Sequence, residues 1–396
     1  MSAIHDGRRE SATPEGSATL EGFDHASGFH CGSTALRGLA DRYGWTCSGV
    51  NGPTCSETIC FGLGEGIGFT YFTPGSSPDR AFFGRSPGLE TTFLDRIGVA
   101  YDRRSGDDWA RTRDRLETRL ANGDPVLLAT DVAALPYFDT DTHFAPHRVL
   151  CVGLEDGRDR EHDRGAAGAD RVALIADNEF DDVKRVPLTT LRDAMTDDHL
   201  VPIRNRTTVV TDPEPEQPAT DRMAAATVEA AIAATARSML DPAAASGPSG
   251  AAVPDGSAGP DGSAASAVAA VTGIEGIRTL AADLPQWVDR SEPRWTARLA
   301  AQNVDSRGTG GGAFRRPYAS FLERAARVVP ALPETAPDRM HGIADDWSRL
   351  ATTFRRASEA ETDAELSTRL AEASRRVRTI ADREERFWRR ALAVLA

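Results

Sequence analysis

In the first half of the chain the spacing of apolar residues changes repeatedly between that of helices and that of strands. In CGSTALRGLADRYG (31–44) they fall at Ala35, Leu36, Leu39, Ala40 and Tyr43, which predicts a helix, and Gly44 supplies a C-terminal stop. A Gly-rich stretch, FGLGEGIGFTYF (61–72), ends in an aromatic, strand-like run. Residues 107–121 read as a charged surface helix. PVLLATD (125–131), HRVLCVGL (147–154) and RVALIAD (171–177) are near-continuous apolar runs of strand length, as expected for strands covered on both faces. PLTTLRDAM (187–195) returns to helical spacing. Strands with interspersed helices, opened by one helix, predict an α+β domain over 21–210.

The pattern then changes. TDPEPEQPA (211–219) is a Pro- and acid-rich linker, and a helix is expected over 220–240. AAASGPSGAAVPDGSAGPDGSAASA (243–267) is low-complexity sequence that cannot bury enough apolar surface to order itself. Beyond it, apolar residues recur at three and four positions up to the C-terminus, with breaks near 303–317 and 330–337. The expectation for 220–396 is therefore an all-α domain interrupted by the low-complexity insert. Residues 1–20 are expected to be a disordered polar tail.

Charge narrows the function. The net charge is −13, and Lys184 is the only lysine beside the arginines. A nucleic-acid binder needs a clustered basic face, which this composition does not offer. The acidic surface fits either a high-salt cytoplasm or plain high-GC codon bias. The opening residues lack the apolar core a signal peptide needs, and no apolar window of ~18 residues occurs, so a cytoplasmic chain without membrane contact is expected. The cysteines at 31, 47, 55, 60 and 151 form no C-x-x-C pair and are expected to be free thiols. No His or Cys spacing suits a metal. His143 and His147 would share a face only on a helix, and Pro146 opposes one there.

Cys31 opens the first helix, where the macrodipole and free backbone N–H groups stabilise a thiolate. Such a nucleophile needs a base, and the base needs an orienting acceptor. His147 starts one buried strand and Asp177 ends the next, with Asn178 beside it. If those strands are antiparallel neighbours, both residues fall at one end of the sheet, where the helix bearing Cys31 could cross. His143 is the competing base, in a loop and so held less rigidly. The alternative for Cys31 is a buried, inert thiol.

The stretches HCGSTALRGLADRYG, SETICFGLGEGIGFTYF, PHRVLCVGLED and VALIADNEF resemble the N-terminal domain of the butirosin biosynthesis protein H family. In the same order they resemble the bacteriocin-processing cysteine peptidases. The resemblance covers about 23–205. It implies a papain-like domain with a central antiparallel sheet, Cys31 as nucleophile, His147 as base and Asp177 as its orienting group. The peptidases place an oxyanion-hole Gln six residues before the cysteine, where this chain has His25. The family's activity is transfer of an aminoacyl group from a carrier-protein thioester to an amine of an aminoglycoside. For this chain that implies an acyltransferase with no bound cofactor. Its partners would be a phosphopantetheine carrier protein as donor and a small-molecule amine as acceptor.

In this reading His25 and the Cys31 backbone N–H steady the oxyanion, and Asn178 is a further substrate-side candidate. Glu57 could orient the amine or serve as a cap or buried hydrogen-bond partner. RGTGGGAFRRPYASFLERAA (307–326) resembles part of the helical domain of unknown function that commonly follows. Gly310 and Gly311 with Arg315 could hold an anion there, or the segment could be an inter-helix loop with surface arginines. A cysteine peptidase or amidase and a catalytically silent scaffold stand as the other two readings.

Overall fold

The computed structural model describes residues 18–20, 23–46, 55–74, 78–141, 143, 146–156, 171–196, 202–213, 221–241, 270–306 and 308–395. The chain runs β1 (Ala18–Thr19), α1 (Cys31–Tyr43), α2 (Glu57–Leu63), β2 (Ile67–Phe72), β3 (Ala81–Arg85), α3 (Leu89–Arg96), β4 (Ala100–Arg104), α4 (Trp109–Ala121), β5 (Val126–Thr130), β6 (His147–Glu155), β7 (Val172–Ala176), β8 (Lys184–Pro187), α5 (Leu188–Thr196) and β9 (Thr207–Asp212). It continues as α6 (Asp221–Leu240), β10 (Ala270–Thr272), α7 (Gly273–Asp283), α8 (Pro293–Asp305), α9 (Arg315–Ala325), α10 (Ala336–Ser358) and α11 (Asp363–Leu395).

The larger sheet has the order β4-β9-β5-β6-β7-β8, with β1 also on β6. Every pairing in it is antiparallel. Its central strands are buried along almost their whole length, which is why they read as unbroken apolar runs. Leu127, Leu150 and Val152 face the cluster containing Leu36 and Leu39 of α1. Val126, Leu128, Val149 and Ile175 face Leu116 and Leu120 of α4 and Leu191 and Met195 of α5. The sheet is thus sandwiched, and α1 lies across β6 with Cys31 at its leading end.

Several expectations change. The tail was to extend to residue 20, but β1 pairs with β6, and Leu20 donates its N–H to Val152 O at 3.0 Å and is buried. A single apolar residue and a free strand edge suffice to order that end. Residues 1–17 and the insert at 243–267 lie outside the described residues. β9 continues to Asp212, into the segment read as linker. The C-terminal half is not wholly helical: β10 joins β2 in a small sheet of order β10-β2-β3. A three-residue strand has too few positions to show alternation.

The Gly-rich stretch also hides a helix, α2, whose short span shows no period because it is buried nearly all round. A Cβ on Gly62 would stand 2.1 Å from the Phe321 ring, so glycine is what lets α2 meet α9. Among the cysteines, Cys31, Cys60 and Cys151 are free and buried, but Cys55 is disulfide-bonded; Cys47 lies outside the described residues. An odd count of cysteines excludes complete pairing and nothing more, so the expectation of free thiols throughout fails at Cys55. No helix among the described residues is long and apolar enough to cross a membrane.

One apolar cluster runs without interruption from Phe61 and Phe82 to Trp347, Phe354 and Trp388, so the sheets and the helical half share a core. Trp287, Trp347 and Trp388 are fully buried, while Trp295 is half-buried. Within this core Arg315 and Glu384 pair at 2.8 and 2.9 Å with no exposure on either side chain. Arg315 also donates to the carbonyls of Gly68, Gly84 and Ala313, and the indoles of Trp347 and Trp388 donate to Glu384. Removing one partner leaves the other charge buried and alone. Glu384→Ala should therefore lower stability by about 3–5 kcal/mol, read as an earlier chemical-denaturation midpoint.

Candidate active site

The approach to Cys31 is built around one carboxylate. Glu57, the first residue of α2, accepts the Phe29 and His30 backbone N–H groups at 3.1 and 3.0 Å. It also accepts the hydroxyls of Ser33 and Thr34 at 3.0 and 2.8 Å. Of the two roles open to Glu57, the structure shows the buried partner: it pins the turn that starts α1, and it does not line the cavity described below. His30 is the N-cap, extended at φ −148° and ψ 131°, with its Nδ1 accepting the Ser33 N–H at 3.2 Å. Cys31 and Gly32 then present the first helical N–H groups, which have no acceptor inside the helix.

His147 begins β6 and Asp177 follows β7, and the antiparallel pairing of those strands brings them to one end of the sheet. His147 Nε2 lies 2.8 Å from Asp177 Oδ2. That leaves Nδ1 for the side-chain hydrogen bond with Cys31. Burial alone would keep His147 neutral, but the Asp177 charge and hydrogen bond, helped by Cys31, push its pKa up to about 10. Burial likewise works against a Cys31 thiolate. The His147 hydrogen bond and charge, then Arg85 and the Arg148 backbone N–H, more than offset it and hold the thiol below its usual range. Asp177 stays low against its burial through His147, the Glu179 N–H and the Tyr137 hydroxyl. Each shift favours the thiolate–imidazolium form of Cys31 and His147, with a carboxylate orienting the ring. By contrast, burial pushes up the thiols of Cys60 and Cys151, the latter to about 12.

Two aromatic residues unforeseen in the sequence complete the support. Tyr137 donates to Asp177 Oδ2 at 2.9 Å, and Phe138 stands edge-on to the His147 ring at 5.6 Å. Both sit in a loop without periodicity, so nothing in the pattern of the chain marks them. His143 lies elsewhere, with Nδ1 2.8 Å from Asp131 Oδ2.

A cavity of about 340 Å³ opens above Cys31 and His147. Val132, Phe138 and Thr140 form one wall, and Asn178 and Glu179 a second. Arg85 and His30 also line it, and the helical half supplies Gln302, Ser306, Gly308 and Phe314. The side-chain oxygens Asn178 Oδ1 and Gln302 Oε1 are buried without a hydrogen-bond partner. Asn178, a substrate-side candidate in the sequence, is therefore at the cavity.

His25 is not. Its Nε2 donates to the Asp177 carbonyl at 3.0 Å, tying the segment before α1 to the turn after β7, and it does not line the cavity. The proposed anion site at Gly310, Gly311 and Arg315 is also absent. The Gly311 N–H goes to Thr309 Oγ1 at 3.1 Å, and Arg315 is buried on Glu384. The glycines instead allow a left-handed run from Gly308 to Phe314, where φ is +60° at Gly310 and +90° at Gly311. Among the described residues no group of three or more His, Cys, Asp or Glu could hold a metal ion.

Alkylation of Cys31 by iodoacetamide should follow the thiolate. Because the folded pKa is depressed, the reaction should persist as pH falls below the free-thiol range near ~8.5, and should fail only when the thiolate is protonated. Asp177→Asn removes the charge that keeps His147 protonated, so the inflection of the alkylation profile should move to higher pH. An unmoved profile would contradict the ion pair.

Residues 30–162 match the family model of the butirosin biosynthesis protein H N-terminal domain. Residues 189–391, just over half of the chain, match a domain of unknown function, DUF4872. No curated protein matches the sequence. The second match begins at α5 and takes in β9, so it includes part of the larger sheet as well as the helices. The chain belongs to the DUF4872 family, with a butirosin biosynthesis protein H N-terminal domain preceding it.

Proposed function

We propose that this protein is a thiol-dependent acyltransferase of papain-like design, which takes an acyl group from a carrier-protein thioester onto Cys31 and passes it to an amine of a small molecule. The observation that carries the reading is the hydrogen-bonded series Cys31–His147–Asp177, whose first two members line a cavity. The Cys31 thiolate adds to the thioester carbonyl carbon. Collapse of the adduct expels the donor thiolate, which takes a proton from the His147 imidazolium. The amine then attacks the acyl-enzyme, neutral His147 accepts the amine proton, and collapse returns Cys31 to the thiolate. No bound cofactor is needed, because the donor thioester is already activated.

Transfer is preferred over hydrolysis for two reasons. Asn178 Oδ1 and Gln302 Oε1 are unfilled acceptors, which suit the N–H groups of an amine. A wall supplied by the helical half narrows the access of water to the acyl-enzyme. The family's association with butirosin biosynthesis accords with small-molecule modification.

Incubation with S-acetyl-N-acetylcysteamine, a small stand-in for the carrier thioester, should add one acetyl group, seen by intact mass and mapped to Cys31. Cys31→Ala should stay unmodified with an unchanged melting temperature, since loss of one sulfur at a helix start removes little packing. Acetylation that persists in Cys31→Ala would rule the assignment out.

A further inference from the structure

The sequence offered His25 as the side chain that steadies the oxyanion, and its Nε2 is occupied by the Asp177 carbonyl. An unoccupied donor sits on the residue next to the nucleophile. His30 is 2% exposed and lines the same cavity as Cys31, and its Nε2 has no hydrogen-bond partner. Buried ring nitrogens are almost always paired, so an orphan beside a cavity marks a place that a water or a ligand atom fills.

The protonation of that nitrogen follows from its neighbours. Nδ1 accepts the Ser33 N–H, so it carries no hydrogen of its own. Burial first, and then the positive Arg85, His147 and Arg148, push the pKa of His30 well below its ordinary value, so the ring is neutral. A neutral ring whose Nδ1 is an acceptor has its hydrogen on Nε2. The orphan is a donor. It is also fixed in direction, because the ring is held edge-on between Phe61 at 5.7 Å and Phe314 at 5.4 Å. A neutral donor keeps its hydrogen through the reaction and does not compete with His147 for the proton that must move.

We propose that His30 is a second catalytic histidine: its Nε2–H and the Cys31 backbone N–H together hold the carbonyl oxygen of the acyl group while Cys31 Sγ bonds to the carbonyl carbon. The inference rests on the acyl-transfer reading above. As the S–C bond forms, the π pair of the carbonyl moves onto oxygen, and the two N–H groups meet the developing charge. When that pair returns, the bond to the donor sulfur breaks and the oxygen becomes a carbonyl again. Both halves of the molecule take part, since Glu57 fixes the His30 backbone and Phe314 closes on its ring.

His30→Asn separates this role from a structural one. Asparagine is a good N-cap and can still accept the Ser33 N–H, but it places no donor where Nε2 stood. Two rates are measured on the full chain. One is acetylation of Cys31 by S-acetyl-N-acetylcysteamine. The other is alkylation by iodoacetamide, in which sulfur displaces iodide and no oxyanion forms. The expected result is acetylation slowed by about 10²–10³-fold, with the alkylation rate and its pH profile unchanged. Undiminished acetylation overturns the inference, and so does equal slowing of both reactions, which would mean that His30 acts through the thiolate or the fold. If the asparagine variant does not fold, His30→Ser, also a good N-cap, is read the same way. A wild-type protein that is alkylated at Cys31 but never acetylated would defeat the acyl-transfer reading itself, and the inference with it.

Discussion

An arginine and a glutamate, both without water, fix where the helical half meets the sheets. Desolvating Arg315 and Glu384 is unfavourable unless every donor and acceptor finds a partner, and here the carbonyls of β2 and β3 and two indoles complete the set. The guanidinium is a rigid planar fork, so this set of bonds admits one placement of the backbone around it. Gly68 and Gly84 belong to the first half, and Ala313 and Glu384 to the second. The turn into α9 is thereby held against β3, with Phe314 directed at His30 and Gly308 at the rim of the cavity. The lining of the Cys31 cavity depends on a contact that lies outside it.

Charge is managed in opposite ways in the two places. Arg315 and Glu384 neutralise each other completely, and nothing about them changes during a reaction. At Cys31 and His147 the pair is held between two states, because the same carboxylate that raises the imidazole pKa also orients its ring. Asp177 is itself surrounded by donors: Tyr137 and the Glu179 N–H reach its carboxylate, and His25 its carbonyl. The carboxylate is therefore held below its usual range despite its burial, while the imidazole it orients is held above its own.

How much of this could be read in the sequence depended on the scale of the signal. The strands carrying His147 and Asp177 are buried on both faces, so they appear as apolar runs, and the helix behind Cys31 shows its period and its glycine stop. Those elements place the three residues because their register is local. Glu57 was legible as a cap or buried partner, but the groups it holds were not, because they come from a turn with no pattern. Gln302 and Phe314 could not be linked to Cys31 at all, since their approach depends on packing between segments some 270 positions apart in the chain. Arg315 was misjudged for a related reason: beside a Gly-rich loop an arginine looks exposed, and only a glutamate far along the chain makes its burial tolerable. His30 stood in plain view next to Cys31, and the helix cap alone decides which of its nitrogens carries a hydrogen.

The wall that the helical half lends to the cavity has a bearing on how such proteins diversify. Cys31, His147 and Asp177 all lie in the first half, while Gln302, Ser306 and Phe314 come from the second. Substitutions along α8 and the turn that follows can reshape what the cavity admits without touching the ionisation of the thiol. Recombination between relatives at the seam would then exchange selectivity as a cassette, provided the arginine–glutamate clasp travels with it.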